Sequence, residues 1–373
     1  MPQAGPIHLL LFPPQTAVKL RQTSQQGVVH MAEAAQPRRR DFLGATVLAG
    51  AAVLAGGAAD LPSPETPSGL WAASYWATKR RDGQDIRLAM YRKRAGAPAP
   101  GDAPRPVLLL VHGSSPAALA SFDLSVPGHD EYSLMTVFAR LGYDVWALDH
   151  EGYGRSTRTD ANSDIASGVQ DLIAATDLIR NKTGQATAHL LGESSGAIRA
   201  AAFATEKPGR VGRLVLAAFT YTGAGSPTLA KRAEQTEYFR THNRRPRDRA
   251  MLESIFTRDR PGTTDPEVVR AFVDKEMVNG DTVPTGTYLD MTAHLPLVDP
   301  ARVLCPVLLA RGEHDGISTL EDLQAFFARL PNGDRQLSVI KGAAHSVIVS
   351  RSHKAFQHVV QAFLSVPDTP ATG

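Results

Sequence analysis

Hydrophobic residues form short blocks between residues 105 and 221, and each block except the last is followed by a segment whose apolar residues recur every three or four positions. The blocks are typical of buried β-strands, and the spaced segments are typical of amphipathic helices. The blocks read PVLLLVHG, YDVWALDHEG, ATAHLLGES and VGRLVLAAFTY. Strands that alternate with helices predict a mostly parallel sheet with helices on both faces.

Two further features extend this pattern. Upstream, WAASYWATKR and DIRLAMYRKR flank an Asp-Gly pair, which predicts a β-hairpin. Within the alternating region, Ser163 is predicted to cap a helix in which Ile165, Val169 and Leu172 lie on one face.

The alternation stops after the sixth strand. Residues 222–300 are polar and rich in Arg, Pro and Thr, with helical stretches and no convincing strand. Strands PVLLARGEHD and RQLSVIKGAAH then follow, each with a helix after it. We therefore predict an α/β core made of residues 70–221 and 301–366. A helical cap of residues 222–300 is inserted above the carboxyl ends of the strands, where open α/β sheets bind ligands.

The N-terminal segment reads RRRDFLGATVLAGAAVLAGGAAD. An Arg pair before an Ala- and Gly-rich apolar run resembles a twin-arginine export signal. We expect residues 1–59 to be a leader cleaved near Ala59, with Met31 as a possible true start, and residues 60–69 to be a linker. The alternative is a membrane anchor, but a run of about 18 residues is near the lower limit for a span. The expected location is periplasmic or secreted, with no stable membrane span after cleavage.

Charge and cysteine content narrow the function class. The net charge is +3, but residues 1–59 hold five basic and two acidic residues, so the remaining chain has 35 of each sign. No excess of positive charge is left to attract nucleic acid. The single Cys305 excludes an internal disulfide and is expected to be buried. The oligomeric state is not predicted.

Residues 192–196 read Gly-Glu-Ser-Ser-Gly and lie between a predicted strand and a predicted helix. This is the context that the nucleophile-elbow motif G-x-S-x-G requires. The turn is so sharp that only glycine fits two residues either side of the nucleophile, which selects Ser194. The neighbouring Ser195 has another predicted task, because its backbone N–H at the helix N-terminus points at a developing oxyanion.

A serine nucleophile needs a general base that is oriented by an acid, in the chain order Ser, acid, His. Asp315 and His345 follow two of the later strands and are the predicted acid and base. Glu313 is the rival acid, expected to point away from the site. The turn after the first buried strand is predicted to offer the Ser114 N–H as the second oxyanion donor, with His112 as a structural residue.

Other patterns are weaker. No residues have metal-ligand spacing, and GYG at 152–154 lacks the rest of a dinucleotide fingerprint, so neither a metal nor a cofactor is predicted. Cap arginines 240, 244, 245, 247 and 249 form either a clamp for an anionic substrate or, the favoured interpretation, a solvated face. Phe122, Leu124 and Val126 either line an acyl pocket or pack under the cap.

The motifs HGSS, DHEGYGRS, GESSG, GEHD and GAAH, in this order over roughly residues 70–365, resemble the α/β-hydrolase superfamily. A serine at position 194 argues against the branches of that superfamily that use Asp as nucleophile. The resemblance implies a capped α/β-hydrolase fold, but it says little about the substrate, because this fold hosts many chemistries.

The predicted function is hydrolysis of a small carboxylic ester through an acyl-enzyme on Ser194. Carbon–carbon bond hydrolysis and cofactor-free perhydrolysis by the same three residues are the alternatives within enzymes. A catalytically silent binding module is the alternative from another class.

Overall fold

Eight strands form one sheet in the computed structural model, which describes residues 66–367. The export signal, the possible start at Met31 and most of the linker lie outside the described residues. The strands of the main sheet are β1 (Leu70–Arg81), β2 (Gln84–Ala95), β3 (Val107–Val111), β4 (Asp144–Leu148), β5 (Ala188–Glu193), β6 (Val211–Ala217), β9 (Val307–Gly312) and β10 (Arg335–Ile340). Two short strands, β7 (Arg244–Pro246) and β8 (Thr282–Pro284), pair with each other in a separate sheet.

The main sheet has the spatial order β1-β2-β4-β3-β5-β6-β9-β10. The hairpin β1–β2 is antiparallel, as is the pairing of β2 with β4, while the remaining strands run parallel. The hairpin turns at Asp82 and Gly83, both with positive φ, as an Asp-Gly two-residue turn demands. The predicted mostly parallel sheet and the predicted hairpin are confirmed.

The helices divide between the two faces of the sheet and the cap. Their bounds are α1 (Ala118–Phe122), α2 (Leu134–Arg140), α3 (Ile165–Thr183), α4 (Ser195–Glu206), α5 (Pro227–Ala233), α6 (Thr236–Thr241), α7 (Arg249–Thr257), α8 (Pro266–Met277), α9 (Gly286–Ala293), α10 (Leu320–Ala328) and α11 (His353–Leu364). Apolar residues of α3, α4 and α10 pack on one face, and those of α2 and α11 pack on the other. No helix within residues 66–367 is long and apolar enough to cross a membrane.

Residues 222–300 hold α5 to α9 together with β7 and β8. The expectation of no strand there is wrong. Three-residue strands are too short to produce the period-two pattern that reveals longer ones. The cap also shares core with the sheet, because Leu252, Phe256, Val268 and Phe272 belong to the same buried cluster as α2 and α11.

Local details differ at two other places. The helix α3 is capped by Asp164, whose side chain accepts the N–H of Ser167, and not by Ser163 as predicted. Phe122, Leu124 and Val126 are buried in the core cluster of α2 and α11, which supports packing over an acyl-pocket role. Cys305 is buried, as expected, and burial raises the pKa of its thiol to about 12.

Candidate active site

The elbow between β5 and α4 places Ser194 in a backbone conformation with φ 58° and ψ −126°. A side chain at Gly192 would come within 2.4 Å of the Gly196 carbonyl, and one at Gly196 within 2.2 Å of the Val111 carbonyl. Both glycines are therefore required by close backbone approach. The same geometry separates the two serines, because Ser194 lines the cavity while Ser195 is fully buried.

The structure brings Ser194, His345 and Asp315 together, as the sequence predicts. His345 Nε2 lies 2.9 Å from Ser194 Oγ, and His345 Nδ1 lies 2.9 Å from Asp315 Oδ1. A carboxylate only accepts hydrogen bonds, so Nδ1 carries the proton and Nε2 is free to accept the hydroxyl proton of Ser194. This is the arrangement that activates a serine hydroxyl as a nucleophile.

Asp315 is held as an anion. Burial raises the pKa of its carboxyl, but His345 and the backbone N–H groups of Ile317 and Ser318 outweigh burial and leave this pKa below its ordinary value. The rival Glu313 is exposed and accepts the N–H of Gly342. That hydrogen bond lowers the Glu313 pKa, and Asp315 is the carboxylate that is bonded to His345.

The turn that follows β3 lies directly against the elbow. A Cβ added to Gly113 would lie 3.2 Å from both the Glu193 carbonyl and Ser194 Cβ. Among the described residues, none accepts a hydrogen bond from the N–H of Ser114 or of Ser195. Two unpaired N–H groups beside a nucleophile are what an oxyanion hole needs. His112, in the same turn, is buried and accepts the N–H of His150, and burial keeps its pKa well below the ordinary value.

A partly open cavity lies at Ser194 and His345. Its apolar wall is formed by Ile255, Phe272, Ile348 and Val349. Three ionisable side chains also line it: Glu193, Arg232 and Arg258. None of the three was predicted from the sequence, because Glu193 is the variable position of the elbow motif and the two arginines lie in cap segments without a recognisable pattern.

These charged groups are perturbed by their surroundings. Burial raises the pKa of Glu193 to about 8, and the nearby charge of Asp315 acts in the same direction. Burial lowers the pKa of Arg232 to about 10, which still leaves it a cation at neutral pH. Arg258 pairs with Asp259 at 2.9 Å. Within residues 66–367, neither Glu193 nor Arg232 has a side-chain hydrogen bond or an ion-pair partner, although Arg232 stacks 5.1 Å above the Tyr288 ring.

The cap arginines singled out from the sequence mostly bind protein groups. This supports the favoured interpretation that they do not form a clamp for an anionic substrate. Their contacts are Arg240 with Glu237, Arg244 with Thr282 and the Gly152 carbonyl, Arg245 over the rings of Phe239 and Tyr288, Arg247 with Glu276, and Arg249 with Asp274.

One group could supply metal ligands. Asp259, Asp315 and His345 each have a ligand atom within 4.8 Å of the others. His345 uses one ring nitrogen on Asp315 and the other on Ser194, so a metal ion would have to replace one of these two contacts. The arrangement therefore suits proton transfer better than metal binding.

Residues 129–351 match the family model Hydrolase_4, described as serine aminopeptidase, S33, which is more than half of the chain. The chain belongs to this family. The match places it in the α/β-hydrolase superfamily, and solved structures agree with that fold. The chain superposes on the enol-lactonase of Burkholderia xenovorans with a TM-score of 0.54 at 17% identity, covering 78% of this chain and 100% of the other.

A second solved structure is the 2-hydroxy-6-oxo-6-phenylhexa-2,4-dienoate hydrolase of a Rhodococcus strain. Its TM-score is 0.53 at 17% identity, covering 79% of this chain and 100% of the other. Identities this low support the fold alone. Together with the family match they confirm the predicted α/β-hydrolase fold.

Curated relatives are named 2-hydroxy-6-oxononadienedioate/2-hydroxy-6-oxononatrienedioate hydrolases. The one from Burkholderia vietnamiensis is 32% identical over 42% of this chain and 47% of its own length. One from Pseudomonas putida is 26% identical over 64% of this chain and 80% of its own length. The chain thus spans about half of the length of the first relative. The family and these relatives make the chain an α/β hydrolase.

Proposed function

We propose that this hydrolase cleaves a carbon–carbon bond beside a ketone, in a substrate that also carries a carboxylate. The observation that carries the proposal is one cavity that holds the Ser194–His345 pair and the Arg232 cation, which has no ion-pair partner among the described residues. The curated relatives act, by name, on hydroxy-oxo dienedioates, which have both a ketone and carboxylates. They favour the carbon–carbon alternative over the ester that the sequence predicted first.

In the proposed reaction, Ser194 Oγ attacks the ketone carbon while His345 takes its proton. The N–H groups of Ser114 and Ser195 hold the oxyanion, and Asp315 stabilises the His345 cation. The adduct then collapses by breaking the bond to the neighbouring carbon. The electron pair of that bond passes to the carbon fragment, which His345 protonates, and water hydrolyses the acyl-enzyme to release an acid.

A carbon leaving group differs from an alkoxide in where its charge goes. In a 2-hydroxy-6-oxo dienoate, written in its 2-keto tautomer, the electron pair spreads along the conjugated chain to the oxygen beside the carboxylate. That end of the fragment therefore carries two negative oxygens during cleavage. A cation in a partly buried cavity stabilises such charge far more than one in water. Arg232 has the charge and position for this task.

Ester hydrolysis is the second candidate. The apolar side chains Ile255, Phe272, Ile348 and Val349 give the cavity a wall that suits an uncharged acyl chain. The same serine, base and oxyanion donors would serve, with an alcohol as the leaving group.

The deciding experiment compares two substrates on one purified enzyme. A 2-hydroxy-6-oxo dienoate loses its conjugated absorbance when the carbon–carbon bond breaks, and a p-nitrophenyl ester series reports ester cleavage. We expect kcat/KM for the dienoate to exceed that for every ester. A preference for esters would favour the second candidate.

Ser194→Ala should lower either activity by at least a thousandfold, because the covalent step is lost. Ser195→Ala is the matched control and should have a much smaller effect, because its N–H remains. A fluorophosphonate probe should label Ser194 alone. Labelling of Ser195, or full activity of Ser194→Ala, would remove the nucleophile assignment.

We also propose export through the twin-arginine-type signal of residues 1–59. Changing Arg39 and Arg40 together to Lys should retain the precursor inside the cell, because a receptor reads the pair. Fractionation, with mass spectrometry of the mature N-terminus near Asp60, tests this. Unchanged export of the Lys-Lys variant would contradict it.

A further inference from the structure

Three side-chain hydroxyls run in series from the cap to the elbow. Thr287 Oγ1, on α9, donates to Ser114 Oγ at 2.9 Å, and Ser114 Oγ donates to Ser195 Oγ at 2.8 Å. Thr287 and Ser195 are fully buried and Ser114 is 7% exposed. We call these three groups the hydroxyl chain. It joins an element of the cap to the two residues that offer the oxyanion N–H groups.

Ser114 and Ser195 each carry a hydroxyl of the chain and a backbone N–H that has no acceptor within residues 66–367. The hydrogen bond between their side chains therefore fixes the distance between the turn after β3 and the start of α4. Hydrogen bonds in a low-dielectric interior polarise and reinforce one another, so a buried chain is stiffer than its separate pairs.

The loop after β4 and the cap hold this turn at further points. Tyr153 donates its hydroxyl to the Ser114 carbonyl at 2.9 Å, and Ser115 Oγ lies 2.7 Å from the hydroxyl of Tyr288 on α9. Tyr153 and Tyr288 pack together in one buried cluster. Consecutive residues of α9, Thr287 and Tyr288, thus bind consecutive residues of the turn, Ser114 and Ser115.

Packing alone does not require hydroxyls here. Alanine and valine side chains would fill nearly the same space without the cost of removing three polar groups from water. What hydroxyls add is direction, since each bond holds its partners at one distance and angle. An oxyanion hole depends on such placement, because its donors must lie about 2.7–3.1 Å from the developing charge.

We infer that Thr287 is a positioning residue for the oxyanion hole, acting through Ser114 and Ser195. This inference rests on the proposed function, in which those two residues supply the oxyanion donors. It gives the cap a role in the chemical step besides enclosing substrate. A displacement of α9 would move the Ser114 donor and slow the reaction without removing any group that touches substrate.

The test uses three variants on α9 with p-nitrophenyl acetate as the probe. Thr287→Val removes the hydroxyl at nearly constant volume, and we expect kcat to fall about tenfold with KM within twofold of wild type. This is less than the 10²–10³ known for deleting an oxyanion donor, because the N–H is displaced and not removed. Thr287→Ser restores the hydroxyl and should recover kcat to within twofold.

Thr292→Val is the matched control. Thr292 lies on the same helix, and its hydroxyl bonds only the α9 carbonyls of Tyr288 and Leu289. Thr292→Val should leave kcat unchanged.

A trifluoromethyl ketone, whose adduct carries an oxyanion, should bind Thr287→Val about tenfold more weakly than wild type. Acetate, the product, should inhibit Thr287→Val and wild type equally.

A double variant guards against a folding defect. If the chain is one unit, adding Thr287→Val to Ser114→Ala should lower kcat by less than twofold further. Full additivity, an unchanged kcat for Thr287→Val, or an equal loss in Thr292→Val would each overturn the inference.

If Ser194→Ala is inactive in the same assay while Thr287→Val is fully active, the inference alone fails. If Ser194→Ala keeps its activity, the proposed function fails.

Discussion

Among the poorly exposed ionisable side chains of residues 66–367, two groups differ in how their charges are matched. Beneath the β1–β2 hairpin, Lys79 Nζ lies 2.8 Å from Glu151 and 2.6 Å from Asp171, and His150 Nδ1 lies 2.9 Å from the other Asp171 oxygen. We call these four residues the hairpin cluster. In the cavity, Glu193 and Arg232 have no such partner among the described residues.

The difference shows why burial of charge does not by itself mark an active site. A buried ion pair that is complete has no capacity left for a ligand, and its role is structural. Arg232 stacks on the Tyr288 ring but has no ion-pair partner among the described residues, so a ligand of the opposite charge can bind it. By this criterion the cavity is the functional site and the hairpin cluster belongs to the scaffold.

The largest effect is expected from the acid that is bonded to His345 at the cavity. Asp315→Asn should lower kcat by about 10³- to 10⁴-fold, because an amide favours the wrong tautomer of His345, as in serine proteases. Glu313→Gln is the matched control and should stay within twofold of wild type. Both should melt near the wild-type temperature by calorimetry. A larger loss in Glu313→Gln would mean that the acid is misassigned.

A substitution in the hairpin cluster should lower the stability of the fold and not the activity. Lys79→Met leaves the buried Asp171 carboxylate without its lysine, while Glu151 keeps its pair with Arg81, and we expect a loss of about 3–5 kcal/mol in the free energy of unfolding. kcat per folded molecule should stay near wild type at 25 °C. The control is Arg80→Met, whose side chain is 76% exposed and 3.7 Å from Asp85. Lost activity at unchanged stability would place the cluster in the active site.

A cavity charge should instead act on the anionic substrate and on the charge that develops in its leaving group. Arg232→Gln should lower kcat/KM for a carboxylate-bearing dienoate by about ten- to a hundredfold, since one charge-assisted contact is lost. p-Nitrophenyl acetate, which has no charge, should be hydrolysed normally. Arg240→Gln, which breaks only an exposed pair with Glu237, is the control. Equal losses for both substrates would show that Arg232 does not recognise the anion.

The smallest effect concerns pH. The pKa of Glu193 is raised to about 8, so its carboxyl is mostly neutral at pH 7 and ionises above pH 8. The new charge lies beside Asp315 and repels an anionic substrate. kcat/KM for the dienoate should therefore fall a few-fold between pH 7 and pH 9, and Glu193→Gln should flatten that fall. A profile unchanged by this substitution would exclude Glu193 as the titrating group.

The sequence predicted the elbow well because its cause is local. Gly192 and Gly196 are needed by contacts within a few residues of Ser194 or with the adjacent strand, so the constraint appears as a short motif. Asp315 and His345 could be placed because the carboxyl ends of parallel strands meet at one edge of the sheet. The order of the strands in the sheet then brings both residues to Ser194.

The cap was harder to predict because its contacts are made between distant segments. Arg232 reaches the cavity only through the packing of α5 beside α9, and no spacing in the sequence marks it. The arginines that did stand out, between residues 240 and 249, cluster in sequence but mostly bind neighbouring cap groups. Glu193 lies inside the motif, yet its altered pKa depends on burial and on Asp315, more than 100 positions away.

The backbone of Ser194 has a consequence for how much change this protein can tolerate. A residue other than glycine at positive φ costs about 1–3 kcal/mol, and a typical domain has a net stability of only about 5–15 kcal/mol. A sizeable fraction of the folding free energy is therefore committed to one residue before any substrate arrives. Glycine at this position would relax the chain but leave no nucleophile. The strained conformation of Ser194 thus lowers the net stability of the protein. Destabilising substitutions at other positions are therefore less well tolerated.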